Sequence, residues 1–340
     1  GPLRAGSHGP GDCGLIRPPR GSRMPRLSRH PVILVYTTEQ ADRYPPLLRR
    51  ALPGARFLFC RSPAEVLRKM PEAEVAFGYQ IPPEAFAAAR RLRLIQATSA
   101  GVDSFLRAPL PAGVPLCRAV GVFEERMAEY ALAYLLAASQ GVPRVLAQQA
   151  EHRWSPFLPR HLQGQLLGIA GYGAIGRVIG QRARALGMRV WGLRRSEGPA
   201  RGAERTFGLQ RLAAFLKPLD FLVVLLPLTP STRGLIGRRE LRAMRRTAWL
   251  MNIGRGPVMD EAALLTALDR GWIAGAVLDV FAEEPLPPDH PFWRHPKVVV
   301  TPHIAGPAFP EREVTLLAEN LRRLRTGRPL KGMVRRARGY

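Results

Sequence analysis

The chain has 340 residues and, at about 150 residues per domain, this length predicts two domains. It is 46% hydrophobic and 23% charged, which excludes a disordered or collagen-like chain, and no apolar run approaches the ~20 residues of a membrane span. Lys and Arg total 51 against 26 Asp and Glu, a net charge of +25, so anionic ligands are favoured.

Much of the positive charge lies at the chain ends. Residues 1–29, rich in Gly, Pro, Arg and Ser, are predicted to be a disordered leader or tag remnant, with Met24 as a candidate native start. Residues 336–340 are predicted to be a basic tail. Solvated charge is the simpler interpretation, and no specific nucleic-acid partner is predicted because aromatic-interleaved and helix-turn-helix motifs are absent from the sequence.

The three cysteines, Cys13, Cys60 and Cys117, are too few and too scattered for a disulfide scaffold or a zinc site. We therefore expect a reducing, cytoplasmic location, no membrane association and no bound metal.

Ordered structure is predicted to begin with a buried strand over residues 32–36. Predicted strands then alternate with predicted helices: strands 56–60, 74–77 and 94–97, helices 63–70 and 83–91. This βα alternation indicates a parallel sheet. A long helix over 126–138 follows, and one wide apolar face of it carries Met127, Tyr130, Ala131, Tyr134 and Leu135.

The alternation restarts at residue 166 with strands that read as continuous apolar runs, as strands buried on both faces do. They are predicted over 166–170, 189–193, 221–226, 249–253, 276–280 and 298–301. A last helix is predicted over 310–325.

A G-x-G-x-x-G turn joins the strand 166–170 to an apolar helix, and that context makes it a strong signal for a dinucleotide. Gly171 permits the tight turn, Gly173 lets the backbone approach a pyrophosphate, and Gly176 permits close packing of helix on strand. Ala174 and Ile175 open the helix, whose N-terminus faces the anion. A glycine-rich turn without a ligand is the alternative.

The residues after the next strand predict which dinucleotide binds. An NAD site usually has Asp or Glu here to hold the ribose 2′-hydroxyl, whereas this chain has Arg194, Arg195 and Ser196. A guanidinium can bind a 2′-phosphate that a carboxylate would repel. We therefore predict NADPH/NADP as the cofactor, with NADH as the weaker alternative, unless these are two more surface arginines of an Arg-rich chain.

Three residues with complementary chemistry follow the last three predicted strands: Arg255, Glu284 and His303. Ligands of open α/β sheets bind outside the carboxyl ends of the strands, so these side chains are expected to converge there. Arg can clamp a carboxylate, His can protonate a carbonyl oxygen, and Glu beside His raises the pKa of the imidazole. Taken singly, each has a simpler explanation, such as a satisfied core histidine.

From about residue 32 to residue 330 the sequence resembles the D-isomer-specific 2-hydroxyacid dehydrogenase family. The motifs that carry the resemblance are Gly171-x-Gly-x-x-Gly176, Leu226-Pro-Leu-Thr-Pro-x-Thr232, Asn252-x-Gly-Arg-Gly256, Asp279-Val-Phe-x-x-Glu-Pro285 and Thr301-Pro-His-x-Ala-Gly306.

The resemblance implies roles for individual residues. Arg255 is implied to bind the substrate carboxylate and keto oxygen, His303 to be the acid/base, and Glu284 its partner. The backbone of Ala100 and Gly101 is implied to hold the substrate carboxylate, and Tyr79 to line the substrate pocket, with core packing as its alternative. Cofactor contacts are implied for Pro227, Thr232, Ile253, Asp279, His303 and Gly306, with Asp279 holding the nicotinamide carboxamide.

The implied fold is α/β, with two Rossmann-like domains of parallel sheets around a cleft. A flavodoxin-like substrate domain would take residues 30–126 plus 306–335, and a dinucleotide-binding domain residues 127–305. The family also implies a homodimer through the helix that begins near Arg126, with Trp154 reaching the active site of the partner subunit, although core packing explains both nearly as well.

The function so predicted is hydride transfer from NADPH to the keto carbon of a small 2-ketoacid, such as glyoxylate or hydroxypyruvate, which gives the D-2-hydroxyacid. A dinucleotide-sensing regulatory or corepressor-like protein on the same scaffold is the alternative. The intact Arg255, Glu284 and His303 set does not separate the two, since such relatives can retain it.

Overall fold

A computed structural model describes residues 26–336, which form two α/β units. One unit contains the described residues up to Val122 together with those from Ala308 onward, and the other spans Phe123–Pro307.

Contacts with the rest of the chain extend into both the predicted leader and the predicted basic tail. Residues 1–25 of the predicted leader lie outside the described residues, but Ser28 donates from its backbone N–H and its hydroxyl to the Glu74 carboxylate, at 2.9 and 2.7 Å. The predicted leader is therefore corrected to end before Ser28. At the other end, the Arg336 guanidinium donates to the Pro111 carbonyl at 3.2 Å, while the rest of the tail lies outside the described residues.

The strands are β1 Val32–Tyr36, β2 Arg56–Cys60, β3 Val75–Gly78, β4 Leu94–Ala97, β5 Leu116–Cys117, β6 Leu166–Ala170, β7 Arg189–Leu193, β8 Arg205–Phe207, β9 Phe221–Val224, β10 Trp249–Asn252, β11 Gly275–Leu278 and β12 Val298–Val300. The α-helices are α1 Tyr44–Ala51, α2 Pro63–Lys69, α3 Asp103–Arg107, α4 Glu124–Gln140, α5 Val142–Ala150, α6 Ala174–Ala185, α7 Leu212–Leu216, α8 Arg238–Ala243, α9 Glu261–Asp269 and α10 Pro310–Arg325. Short 3₁₀ helices occupy Ala41–Arg43, Met70–Glu72, Pro83–Ala88, Leu209–Arg211, Gly256–Val258 and Pro291–Arg294.

The first unit contains a parallel five-stranded sheet of order β2-β1-β3-β4-β5. This is the flavodoxin-like order that the resemblance implies. Side chains of β1 alternate between two cores: Ile33 and Val35 belong to one with Leu317 of α10, and Leu34 belongs to the other with Val66 of α2. The strand is therefore apolar throughout because both of its faces are buried.

The second unit contains a parallel seven-stranded sheet of order β12-β11-β10-β9-β6-β7-β8. Counted from β8, its first six strands follow the 3-2-1-4-5-6 order of dinucleotide-binding sheets. The strand order reverses between β6 and β9, which is where such sheets bind their ligands at the carboxyl ends of the strands.

Some elements differ from the predicted ones. The helix expected over 83–91 is a 3₁₀ helix at Pro83–Ala88, a form that is common in short segments. Sequence reasoning missed α1 and α5, which carry prolines in their first turns, where a missing N–H costs nothing. Within residues 26–336, no helix combines the length and apolar character that a membrane crossing needs.

Candidate active site

The glycine turn after β6 has the conformation that its sequence requires. Gly171 has a φ of 103°, a left-handed value that favours glycine, and a Cβ there would lie 2.8 Å from the Leu225 carbonyl. A Cβ on Gly176 would lie 2.8 Å from the Gly171 oxygen and 3.0 Å from the Ile169 side chain. The first glycine is therefore required by the turn, and the third by the packing of α6 on β6.

Gly173 differs from its two neighbours because the protein leaves space beside it. A Cβ on Gly173 would have the Gly171 oxygen as its nearest neighbour, at 4.0 Å. Gly173 is also the N-cap of α6, and no side chain caps that end. The first-turn N–H groups of Ala174 and Ile175 have no acceptor within the helix, so the turn fits an anion such as a pyrophosphate.

The segment after β7 carries positive charge. Arg194 is half-buried and its backbone N–H donates to the Phe207 carbonyl at 2.9 Å, while Arg195 and Ser196 are exposed. The next residue is an acid, Glu197, and its carboxylate accepts from the backbone N–H of Gly208 at 3.1 Å and from Arg211 at 3.2 Å.

The Glu197 carboxylate is stabilised by these two donors. The hydrogen bond from Gly208 lowers the pKa of Glu197, and the Arg211 charge adds to the effect. Residues 194–196 themselves contain no acid, so this end of β7 suits a phosphate better than a ribose hydroxyl.

The remaining residues with implied cofactor contacts lie in loops of the same sheet edge. The Thr232 hydroxyl donates to the Pro227 carbonyl at 2.6 Å and accepts from the Thr229 N–H at 2.8 Å, which fixes the loop after β9. Ile253 is buried directly after β10. A Cβ on Gly306 would lie 3.4 Å from the Met127 sulfur, so the backbone passes close to α4 there.

His303 and Glu284 form a hydrogen-bonded pair, with Nδ1 of the imidazole 2.7 Å from Oε2 of the carboxylate. The second oxygen of Glu284 accepts the Phe281 N–H at 2.9 Å. Since Nδ1 faces Glu284, Nε2 is the ring nitrogen that can exchange a proton with a substrate.

The hydrogen bond between His303 and Glu284 shifts the pKa values of these two residues in opposite directions. The hydrogen bond to Glu284 raises the pKa of His303, against the effect of burial, and the charges of Glu284 and Asp279 act in the same direction. Burial opposes ionisation of Glu284, but hydrogen bonds from His303 and the Phe281 N–H hold the pKa of Glu284 below its ordinary value. The imidazole is therefore stabilised in its protonated form, as a proton donor requires.

Arg255 lies beside this pair at the carboxyl end of β10. Its charge lowers the pKa of both Glu284 and His303, so the three groups interact electrostatically. Asn252 holds the turn that carries it: the Asn252 amide donates to the Arg255 carbonyl at 3.2 Å and its oxygen accepts the Gly254 N–H at 3.2 Å.

Gly256 completes this arrangement, and sequence reasoning gave neither Asn252 nor Gly256 a role. A Cβ on Gly256 would lie 1.9 Å from the Phe281 carbonyl carbon, so glycine allows the turns after β10 and β11 to touch. An amide at the end of an apolar strand was the available signal for Asn252. Gly256 ends a motif of the resemblance, but its contact with the turn after β11 is tertiary, so the motif did not reveal that contact.

Asp279, which directly follows β11, already accepts three hydrogen bonds with its carboxylate. The Thr301 hydroxyl and the Ile304 N–H donate to Oδ1 at 2.6 and 2.8 Å, and the Ala305 N–H donates to Oδ2 at 2.9 Å. A carboxylate has about four acceptor positions, so about one is left for a ligand. The residue is only 1% exposed.

The other predicted site residues lie at the carboxyl edge of the first unit's sheet. Tyr79 follows β3 and is half-buried, with its N–H donating to the Tyr36 carbonyl at 3.1 Å. Ala100 and Gly101 follow the adjacent strand β4 and are also half-buried. The Ser99 hydroxyl donates to the Gly101 carbonyl at 2.6 Å and closes that turn.

The chain is similar in sequence to known proteins. The profile of the family "D-isomer specific 2-hydroxyacid dehydrogenase, NAD binding domain" matches residues 132–305. A glyoxylate/hydroxypyruvate reductase A from Serratia proteamaculans is 36% identical over 275 residues, which cover 79% of this chain and 88% of the relative.

Two solved structures are similar along nearly the whole chain. One is a D-isomer specific 2-hydroxyacid dehydrogenase from Xanthobacter autotrophicus Py2 in complex with NADPH and MES, with a TM-score of 0.84, 33% identity and coverage of 92% of this chain and 100% of that one. The other is an NADPH-dependent glyoxylate/hydroxypyruvate reductase from Sinorhizobium meliloti in complex with NADP and sulfate, with a TM-score of 0.85, 32% identity and coverage of 91% and 100%.

Proposed function

The chain belongs to the D-isomer specific 2-hydroxyacid dehydrogenase family, and we propose that it reduces a small 2-ketoacid, such as glyoxylate or hydroxypyruvate, to the D-2-hydroxyacid with NADPH. The observation that carries the proposal is the Glu284–His303 pair beside Arg255, at the carboxyl edge of a dinucleotide-binding sheet. Such a set suits an acid catalyst next to a carboxylate binder.

NADPH is the proposed cofactor because the chain offers a donor set for each part of it. The turn from Gly171 to Gly176 leaves open space at Gly173 for a pyrophosphate, and Arg194 and Arg195 supply guanidinium groups for a 2′-phosphate. Relatives solved with NADPH or NADP are consistent with this assignment. When bound, the dihydronicotinamide supplies the hydride to the keto carbon.

The residues of this chain orient the ketoacid and move the proton. Arg255 binds the carboxylate and polarises the keto oxygen, since a guanidinium can donate two hydrogen bonds in one plane. His303 donates the proton to that oxygen from Nε2. Glu284 keeps the imidazole protonated through its bond to Nδ1 at 2.7 Å and fixes the direction of the ring.

We also propose substrate roles for the first unit's predicted residues. The turn that contains Ala100 and Gly101 presents backbone N–H groups, which bind a carboxylate without added side-chain bulk. Tyr79 is proposed to contribute to the choice of ketoacid.

A homodimer is proposed from the apolar surface of the second unit. Helices α4 and α5 and the edge strand β12 border an apolar groove of about 460 Å³. Trp154 and Leu158, which follow α5, are 94% and 92% exposed. Leu146, which lies within α5, is 59% exposed. Large apolar side chains exposed in this way are typical of a protein–protein interface, and a second copy of the chain is the proposed occupant.

A cytoplasmic location is proposed as well. Cys60 and Cys117 are both buried free thiols in the described part of the chain. Such cysteines suit a reducing compartment.

The test of the proposed reaction is the identity of its product. Purified protein with hydroxypyruvate and NADPH is expected to form D-glycerate, with one NADPH consumed per glycerate, as measured by chiral chromatography. Formation of L-glycerate would contradict the assigned stereochemistry, and the absence of NADPH consumption with a panel of 2-ketoacids would contradict the reaction.

A further inference from the structure

We infer that Tyr130 and Thr301 are positioning residues for His303, which they hold in place through the buried Asp279 carboxylate. The inference rests on the proposed function for its catalytic meaning. No role beyond an apolar helix face was expected for Tyr130 from the sequence.

A directed chain of hydrogen bonds links the helix α4 to the turn that carries His303. The Thr301 hydroxyl donates its proton to Asp279 Oδ1 at 2.6 Å. Its oxygen also lies 2.7 Å from the Tyr130 hydroxyl. Because a hydroxyl has one proton to donate, Tyr130 must be the donor to Thr301, and the chain runs from Tyr130 through Thr301 to Asp279.

Asp279 in turn contacts residues on both sides of His303. The Thr301 hydroxyl precedes His303, whereas the Ile304 and Ala305 N–H groups, which donate to the carboxylate at 2.8 and 2.9 Å, follow it. The His303 N–H donates to the Asp279 carbonyl at 3.0 Å. One residue therefore fixes the turn at four points.

The turn needs this support because His303 has a left-handed backbone. Its φ is 53°, a value that side chains with a Cβ adopt at a cost and that surrounding contacts must maintain. Loss of a contact around Asp279 would let the turn relax, and the imidazole would move away from Glu284.

Because this network is buried, the loss of any one of its hydrogen-bond donors is costly. Asp279 is 1% exposed and Thr301 is 6% exposed, so water does not readily replace a lost protein donor. A hydrogen bond to a buried charged group contributes far more than one at the surface. The Tyr130 hydroxyl is itself desolvated, which raises the pKa of Tyr130 and keeps the group protonated as a donor.

The neighbouring Tyr134 provides a matched control. Its ring lies 4.6 Å from the Tyr130 ring, centroid to centroid, and it follows Tyr130 by about one turn of the same helix α4. Among the described residues, no hydrogen bond joins the Tyr134 hydroxyl to this network. Removal of its hydroxyl therefore perturbs the same packing and leaves the chain of donors intact.

The experiment compares Tyr130→Phe and Thr301→Val with Tyr134→Phe and Thr301→Ser in the full chain. We expect kcat for ketoacid reduction to fall about tenfold in Tyr130→Phe and about tenfold to a hundredfold in Thr301→Val, with the Kd of NADPH little changed. Thr301→Ser keeps the hydroxyl and is expected to restore most of kcat. Tyr134→Phe is expected to behave as the wild type.

The pH profile provides a readout that a general loss of stability would not move. The charged groups that face His303 are Glu284, Asp279 and Arg255, and all three are retained in every variant. If the turn relaxes, the bond between His303 and Glu284 weakens, and the alkaline limb of kcat/KM moves to lower pH in Tyr130→Phe and Thr301→Val only. Equal profiles in Tyr130→Phe and Tyr134→Phe would overturn the inference.

The inference and the proposed function can fail separately. Absence of turnover in the wild type refutes the proposed function. In that case NMR titration of the His303 imidazole still decides the inference, because its pKa is expected to be lower in Tyr130→Phe than in Tyr134→Phe. An unchanged His303 titration in both Tyr130→Phe and Thr301→Val would refute the positioning role.

Discussion

Gly173→Ala separates cofactor binding from folding, because the protein itself leaves room for the added methyl group. The nearest atom to a Cβ at this position is 4.0 Å away, and φ is −95°, outside the left-handed region that favours glycine. The fold should therefore lose less than about 1 kcal/mol, chiefly from the poorer N-cap. If a pyrophosphate approaches the turn, however, the methyl group occupies its position.

The expected cost to binding follows from overpacking. Forcing a methyl group into a close contact costs about 1–3 kcal/mol, which raises the Kd of NADPH roughly five- to 150-fold. The assay is fluorescence titration of NADPH together with denaturant unfolding of the same sample. Gly176→Ala is the matched control: its Cβ would lie 2.8 Å from the Gly171 oxygen, so it should destabilise the fold itself by about 1–3 kcal/mol. An unchanged Kd in Gly173→Ala would refute the account of this turn.

Three further predictions concern acid catalysis, cofactor choice and assembly. In Glu284→Gln, the alkaline limb of the reduction rate should move to lower pH, because the bond to Glu284 is the largest cause of the raised pKa of His303 and reduction needs the protonated imidazole; an unmoved limb would exclude His303 as the acid. Replacement of Arg194 and Arg195 by Gln should weaken NADPH binding about tenfold to a hundredfold and leave NADH binding nearly unchanged; equal losses for both cofactors would contradict 2′-phosphate recognition. Leu146→Glu should convert a dimer to a monomer in analytical ultracentrifugation, since it places a charge on the exposed apolar surface; a wild-type protein that is already monomeric would contradict the proposed interface.

Sequence reasoning reached the parts of the fold that depend on local pattern. The buried strands follow from continuous apolar runs such as β1, and the left-handed Gly171 follows from a glycine between a strand and a helix. Glu284 and His303 were paired in advance because residues after neighbouring parallel strands meet at one edge.

The parts that sequence reasoning missed depend on tertiary contacts. Tyr130 has the spacing of an apolar helix face, and the pattern does not reveal that its hydroxyl reaches a threonine 171 positions later. Gly256 is required by the turn after β11, which is distant in sequence. The helix α1 has two prolines directly after its first residue, Tyr44, and prolines argue against a helix unless they lie in its first turn.

NADPH consumption with glyoxylate or hydroxypyruvate, measured for the wild type and His303→Ala and repeated with NADH, distinguishes a ketoacid reductase from a dinucleotide sensor. We expect turnover that is faster with NADPH and falls about a hundredfold or more in His303→Ala, with NADPH binding retained. Tight NADPH binding without turnover on any 2-ketoacid would contradict the account and favour a dinucleotide sensor. Turnover that survives His303→Ala would contradict the role of the Glu284–His303 pair.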